Sequence, residues 1–508
     1  MPSEATERDL ASLSGFPHHM EMDYQIPDML DFPAHVADLW VGPPGHELPY
    51  FAENGDGHPG WTGNFSAPAF SQDSQSLDVI QGYRPDSLQV ILVKDMMLHK
   101  AHELYPDPTR FDELSAIIQS IFYQTKVDGF VRLFCQNFHP NCPIFHIPTF
   151  DADGITPELL LAIVCFGAMY AHDGTDKLVA DRLLDIAELV VFSTDVFVRR
   201  HDGNCASEQE ADSDGADAEW KRFERLQAGY LIVTVQYWAG ARSSKAHVME
   251  SRFCEVIQAA RETGLTQVRR VPQDRISEQR WIRKEIKLRT MCMIRSLDCA
   301  FLFYSNYPCR LALSELNVDL PCESSVFNSE HPFAEENFQF SRSGDLASVF
   351  EELFSEQIPD TQGEEKPDDS RSRVRSETRK TQTVMDLFLS IHLLYVFTHT
   401  HTQLRRFIPR SGQQQQGAKL KSGKTNPSHV NDEITAAVRD ALKRWHVLCL
   451  AVRSSADDTN LSNSGLYRLG YNFWRIIHLF VDKEKSLELA KTIDIQGEDK
   501  LILLKTLI

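Results

Sequence analysis

The sequence predicts an all-α fold, a multi-helix domain that carries a disordered acidic N-terminal arm and disordered linkers. Three observations predict it. Apolar residues recur at three- and four-residue steps through most of the chain beyond about Phe111. Alternating stretches that would mark strands are scarce. The segments between the periodic ones are polar, Ser-, Gln- or acid-rich, and cannot bury enough apolar surface to order themselves.

Taken in order, residues 1–85 hold 13 acidic residues against Arg8 and Arg84, with many Pro, Gly and Ser and no sustained period. This is read as the acidic arm. Within it Met22, Tyr24, Leu30, Phe32, Leu39 and Trp40 are interleaved with Glu21, Asp23, Asp28, Asp31 and Asp38, the composition of an amphipathic activation segment. Such a segment folds as a short helix into a partner's groove. A solvated tail with a few apolar residues is the alternative reading.

The helical domain is placed at 86–357, its first periodic helix opening at about Phe111. Further helices are expected at 128–138, 157–171, 176–199, 219–239, 244–263, 278–304 and 344–357. Pro157 suits a first helical turn with Thr156 as its cap, and Gly264 suits a stop. An exposed acidic loop is expected from Cys205 to Glu219. A linker at 358–383 separates this domain from a C-terminal helical part, 384–508, which is expected to pack on it. That part carries helices at 384–407, 433–453, 466–481 and 483–491 and a loop at 409–431 that contains Gln413 to Gln416.

Bulk chemistry narrows the function. The longest apolar stretch, from Leu159 to Ala171, falls short of the roughly 20 residues that cross a bilayer, so no membrane span is expected. The start is acidic, unlike a secretory signal. Ten cysteines, spread from Cys135 to Cys449 without CxxC pairs, suit reduced thiols inside the cell. The net charge of −20 opposes a polyanionic partner for the chain as a whole. HExxH, GxSxG, P-loop and GxGxxG motifs are missing. Neither Asp457-Asp458 nor Asp368-Asp369 completes the aspartate-rich motif of a helical terpenoid synthase. No catalytic residue, cofactor or metal is expected, and the chain is read as not an enzyme.

The series Cys135, His139, Cys142 and His146 has ligand-like spacing, but zinc needs four ligands converging tetrahedrally. Core side chains are the preferred reading. His392, His399 and His401 are read as helix histidines of core or surface. The basic run Arg269, Arg270, Arg275, Arg280, Arg283, Lys284, Lys287 and Arg289 is read as a solvated helix face. The second run, Arg371, Arg373, Arg375, Arg379 and Lys380, suits a nuclear-import signal or a charged linker.

One segment points further. His139-Pro-Asn-Cys-Pro-Ile-Phe-His-Ile-Pro-Thr-Phe150 lies between two apolar helices. Pro140, Pro143 and Pro148 prevent helix there, while Phe145 and Phe150 anchor the turn and His139 and His146 bond locally. A long helix downstream carries Arg289, Asp298 and the aromatic run 301–304, followed by Pro308 and then Leu320-Pro321. Arg289 and Asp298, nine residues apart, do not face each other, so each is expected to pair with a neighbouring helix. Together with Ala259 to Leu265, these segments resemble the fungal-specific transcription factor domain, the middle homology region found with zinc-finger modules, over roughly residues 125–330. An aromatic residue usual near Cys292 is absent, although Trp281 lies earlier on the same helix.

No cysteine precedes Cys135, so DNA-binding fingers are expected to be missing from this chain. The resemblance implies a nuclear transcription regulator whose helical effector domain works through coactivators or a DNA-binding partner protein, with DNA reached indirectly. A homodimer and a heterodimer are both compatible with it. A non-DNA-binding adaptor is the alternative, and a helical enzyme the third reading.

Overall fold

The computed structural model describes residues 85–171, 174–198, 213–355, 382–405, 427–455 and 465–482. Most of the acidic arm with its six apolar positions, the linker and its basic run, and the expected helix at 483–491 lie outside them. The described residues are helical, with one isolated antiparallel bridge between Asp319 and Asp345 and no strand among them. None of their helices is long and apolar enough to cross a membrane.

The N-terminal layer is built from α1 (Leu88–Leu104), α2 (Pro108–Ile121), α3 (Gln124–Leu133), α4 (Pro157–Ala168) and α5 (Gly174–Phe192). Helix α1 precedes the expected first helix at Phe111. It buries Val90, Val93, Met97 and Ala101, a three-four-four spacing, but Leu88, Ile91 and Leu92 point outward and blur that period in the sequence. Ser87 caps α1, accepting from Val90 N at 3.4 Å, and the adjacent Asp86 accepts from the Gln124 amide at 2.9 Å. The starts of α1 and α3 are thereby tied together.

Helix α4 is buried from Glu158 to Ala168 and apolar on every side beyond that glutamate, so it needs neighbours all round. It lies against α3, α5 and α6 (Ser213–Ala239). The crossing with α3 is close enough to require glycine: a Cβ on Gly167 would sit 2.0 Å from the Phe130 carbonyl oxygen. Because backbone, not a flexible side chain, occupies that space, Gly167→Ala is expected to cost about 1–3 kcal/mol, measured by chemical denaturation. An unchanged midpoint would show that the crossing relaxes freely.

Three expectations about helix ends change. The cap of α4 is not the Thr156 hydroxyl, since no side-chain cap bond forms; instead the Thr156 amide donates to Glu224 at 3.0 Å. Helix α5 stops at Phe192, short of the expected 199, because the hydroxyls of Ser193 and Thr194 take the carbonyls of Val190 and Val191 at 2.7 and 2.8 Å. The acidic loop is shorter than expected, because α6 already begins at Ser213.

After α7 (Arg242–His247) a π turn leads into α8 (Phe253–Glu262), which ends as expected at Gly264, in the left-handed region at φ 67°. The central helix α9 (Glu278–Ser305) is buried from Trp281 to Tyr304 on nearly all faces, including the charged Glu285, Arg289, Arg295 and Asp298, and ends at left-handed Asn306. Short α10 (Ser324–Phe327) follows. Helix α11 (Leu346–Glu352) starts later than expected, capped by Asp345, which accepts from Ser348 N at 2.9 Å.

Helix α12 (Val384–Arg405) packs on α9, and α13 (Pro427–Ser455) and α14 (Gly465–Asp482) pack on α12. Phe303 of α9 meets Tyr395 and Phe473 with ring centroids 5.2 and 5.1 Å apart. The expected loop at 409–431 is cut short, because α13 begins at Pro427, where proline is tolerated at a helix start.

Candidate functional site

The Pro-punctuated segment is a packed corner. After α3 the chain makes a π turn over Phe134–Phe138, a 3-10 turn over His139–Asn141, and a second 3-10 turn over Ile147–Thr149. Pro140 and Pro148 open those two turns, and Pro143, in the bend between them, keeps the chain from resuming a helix. Phe145 is buried against Phe134 at 5.9 Å and Phe150 at 5.5 Å, while Phe138 lies against Phe166 of α4 at 3.9 Å.

His139 bonds within the corner as expected, whereas His146 bonds both within it and to a distant segment. His139 Nε2 lies 2.9 Å from the Phe145 carbonyl oxygen and 3.2 Å from the Phe145 amide, closing the corner on itself. His146 Nε2 donates to the Ser329 carbonyl at 2.9 Å, which leaves Nδ1 to accept from the Thr149 hydroxyl at 2.8 Å. Burial lowers the pKa of His139 to about 4 and also lowers that of His146. Cys142 lies 3.5 Å from the Tyr230 hydroxyl, and burial pushes its thiol up to about 12. Each of these three side chains is engaged elsewhere. Among the described residues no three His, Cys, Asp or Glu side chains are grouped to hold a metal ion.

The corner is linked to α9 by two routes. Gln227 of α6 donates to the Ile144 carbonyl and to the Thr290 hydroxyl, both at 3.1 Å. The His146 ring meets Phe327 of α10 at 5.4 Å, and the Arg289 guanidinium lies 4.0 Å over the other partner of that contact, the Phe327 ring. His146 and Arg289, far apart in sequence, thus share one apolar neighbour.

Arg289 is fully buried and does not pair with a neighbouring helix as expected. Its carboxylate partner is Glu285, one turn earlier on α9, at 2.7 Å. Glu285 also pairs with Arg270, from the loop before α9, and accepts from the Cys322 amide at 2.9 Å. Burial raises the Glu285 pKa, but the guanidinium groups of Arg270 and Arg289 outweigh it and hold the carboxyl below its ordinary range.

These charges grip the Leu320-Pro321-Cys322 segment. Arg270 donates to the Leu320 carbonyl at 3.1 Å, Arg342 to that of Pro321 at 2.8 Å and Arg289 to that of Cys322 at 2.8 Å. Arg342 in turn makes a two-pronged pair with Asp386 of α12, at 3.1 and 2.5 Å. Two buried ionic groups, Arg270–Glu285–Arg289 and Arg342–Asp386, are therefore joined through the carbonyls of residues 320–322.

Asp298 is the second station on α9, and its partners likewise come from its own helix and from the segment that follows. Its carboxylate accepts from Arg295 at 3.0 Å and from the amides of Arg310, at 2.9 Å, and Leu311, at 3.0 Å, just after Pro308. Burial raises its pKa, and those donors offset part of the rise. Arg310 spreads its guanidinium over Tyr307 at 4.2 Å and Phe253 at 5.0 Å.

The first basic run is not a single solvated face. Arg270 and Arg289 are inside the core. Arg283 and Lys287 pair with Asp217 and Glu219 of α6 at 3.6 and 2.6 Å, and Arg275 lies over Phe340 at 4.4 Å. His392 is a core residue, its Nδ1 donating to the Phe388 carbonyl at 2.6 Å, while burial lowers its pKa to about 4.

Sequence reasoning found the ends of this network and missed its middle. His139, His146, Arg289, Asp298 and Pro321 stood out by spacing. Glu285, Gln227, Phe327 and the Arg342–Asp386 pair did not, and the buried Arg270 was expected on a solvated face, although a carboxylate four residues before a helical arginine was a usable signal.

Comparison with known proteins places this network in a recognisable segment. Residues 131–362 match the fungal specific transcription factor domain. Transcription factor verF of Penicillium polonicum is 26% identical over 217 residues, which cover 41% of this chain and 28% of that protein. The chain thus spans less than a third of the length of this curated relative. No solved structure matches.

Proposed function

We propose that the chain, whose residues 131–362 match the fungal specific transcription factor domain, is a fungal transcription regulator whose helical domain acts through protein partners. Its role is regulatory, not catalytic, and its place of action is the nucleus. The observation that carries the reading is that the corner at 139–150, Arg289 and the Leu320-Pro321 segment fall inside the matched residues and are joined through buried contacts, with Asp298 holding the turn after the same central helix.

That network supports a scaffold. Its histidines, guanidinium groups and carboxylates are spent on one another and on backbone carbonyls, which holds helices in register and leaves them structural work. The pairing of Arg283 and Lys287 with α6 carboxylates also weakens the α9 basic run as a nucleic-acid surface. DNA contact is accordingly assigned to a separate module or to a DNA-binding partner, and activation to coactivators that meet the acidic arm.

Fusion of the chain to an unrelated DNA-binding module tests this with a reporter gene. The full fusion is expected to drive the reporter. Removal of residues 1–85 is expected to reduce output to that of the DNA-binding module alone, with the helical domain still folded by circular dichroism. No output from the full fusion would sink the activator reading. Undiminished output from the shortened one would move activation out of the arm.

A further inference from the structure

We propose that the turn before α9 is a docking site for the chain's own acidic arm, holding residues 21–40 against the helical domain and away from partners, a role that rests on the activator reading of that arm. The turn, a 3-10 turn over Pro272–Ile276, stands on a firm base. Arg270 is anchored in the core by Glu285. The buried Asp274 accepts from the Val271 amide at 2.8 Å, and its own amide donates to the Val271 carbonyl at 2.8 Å. Ser277 then caps α9, accepting from the Arg280 amide at 3.4 Å. That base holds Ile276 outward, at 81% exposure the most exposed large hydrophobic side chain among the described residues, with Val271 exposed beside it in the turn.

Positive charge is left over around Ile276. In the basic run from Arg269 to Arg289, Arg269 faces Asp319 and Asp345, Arg270 and Arg289 face Glu285, Arg283 faces Asp217 and Lys287 faces Glu219. The exposed Arg275 and Arg280 pair with no carboxylate among the described residues, and Arg275 lies instead 4.4 Å over Phe340. The acids nearest them in sequence are turned elsewhere. Asp274 is bonded to the Val271 amide, and Glu278 accepts from the Phe333 amide at 2.9 Å and lies 3.3 Å from the His331 ring. The surface is therefore apolar at its tip and flanked in sequence by unneutralised cations.

The arm supplies the complement. Between Glu21 and Trp40 apolar side chains are interleaved with Glu21, Asp23, Asp28, Asp31 and Asp38, and no lysine or arginine falls in that stretch. Carboxylates meet Arg275 and Arg280 while apolar side chains cover Ile276 and Val271. Residues 41–84 join the segment to the helical domain. A chain of that length reaches on the order of 140 Å when extended, well beyond a domain of this size, whose radius of gyration is about 20 Å. The tether also selects this occupant over a separate protein. Two apolar side chains and two cations bury far less than the roughly 1,000 Å² that a stable interface between separate proteins needs. A tethered segment, present at an effective concentration on the order of millimolar, is held by a contact of this size. The outward Leu88, Ile91 and Leu92 of α1 lack the same complement, because Lys94 and Lys100 of that helix are paired with Asp86 and Glu103.

Photocrosslinking in the full chain tests the docking. With p-benzoylphenylalanine in place of Ile276, irradiation is expected to give a monomeric product whose cross-linked peptide lies within residues 21–40, at a yield independent of protein concentration. The double variant Arg275→Glu/Arg280→Glu is expected to lower that yield about threefold or more, since like charges then face each other. Both arginines are exposed, so its unfolding midpoint should match that of the parent and separate lost docking from lost fold. Cross-links confined to other residues, or a dimeric product joined to the arm of a second molecule, would overturn the proposal. In the reporter fusion the same double variant is expected to raise output about threefold or more by freeing the arm. A lost cross-link without that rise would equally overturn the withholding of the arm. Silence of both fusions sinks the activator reading alone, and the cross-link then decides the docking by itself.

Discussion

Glu285→Gln is expected to lower the unfolding free energy by roughly 3–5 kcal/mol, the range found when one partner is removed from a buried ion pair. The substitution hardly changes shape. What it removes is the single carboxylate that Arg270 and Arg289 share inside the core, leaving two guanidinium charges with no countercharge at Glu285. Glutamine also adds an amide donor where only acceptors are useful, since the Cys322 amide and both guanidinium groups point donors at this site. Urea denaturation followed by circular dichroism measures the loss. Lys287→Gln is the control, because its pair with Glu219 lies near the surface and is expected to contribute about 0–1 kcal/mol. Equal effects from the two variants would show that the 285 network carries no special weight.

Acidification from pH 6.5 to 5 is expected to cost about 2 kcal/mol for each of two buried imidazoles, by linkage from their lowered pKa values. His139 and His392 both fall to about 4 in the folded chain, through burial first of all. An unfolded histidine titrates near 6.5. Between those values the unfolded state holds a proton that the folded state does not, so stability falls as pH drops through the window and levels off below about pH 4. The slope is about 1.4 kcal/mol per pH unit for each such histidine. Glu224 and Asp298 oppose this, since their raised folded pKa values favour the folded state on acidification. His392→Gln separates the contributions. Whatever its own stability, that variant should show a stability-versus-pH slope shallower by one proton over pH 5–6.5. An unaltered slope would mean that His392 is already protonated in the folded chain.

The parts of the site that were readable in the sequence share a local cause. Three prolines within nine residues forbid helix, so a corner at 139–150 follows from covalent chemistry alone. Gly264 as a helix stop is local in the same way, needing only a residue at ease with positive φ. Helix α5 shows the limit: its apolar period runs on past Phe192, but Ser193 and Thr194 turn their hydroxyls back onto the last carbonyls and end it. Helix α1 shows the opposite failure, a correct buried spacing hidden by outward-facing Leu88, Ile91 and Leu92.

By itself, the sequence determined the all-α character, the bend at the prolines, and the residues His139, His146, Arg289 and Asp298 as points of interest. Tertiary structure alone decided their partners: that Glu285 serves two arginines, that Phe327 joins His146 to Arg289, and that Arg342 ties the Pro321 carbonyl to Asp386. The physical reason is one of range. Backbone preference and apolar period act over a few residues and fix which face of a helix seeks burial. The same-helix pairs Glu285–Arg289 and Arg295–Asp298 leave a local trace, but the partners from other segments, Arg270 and the Arg342–Asp386 pair, are set by what the whole fold brings within about 3 Å.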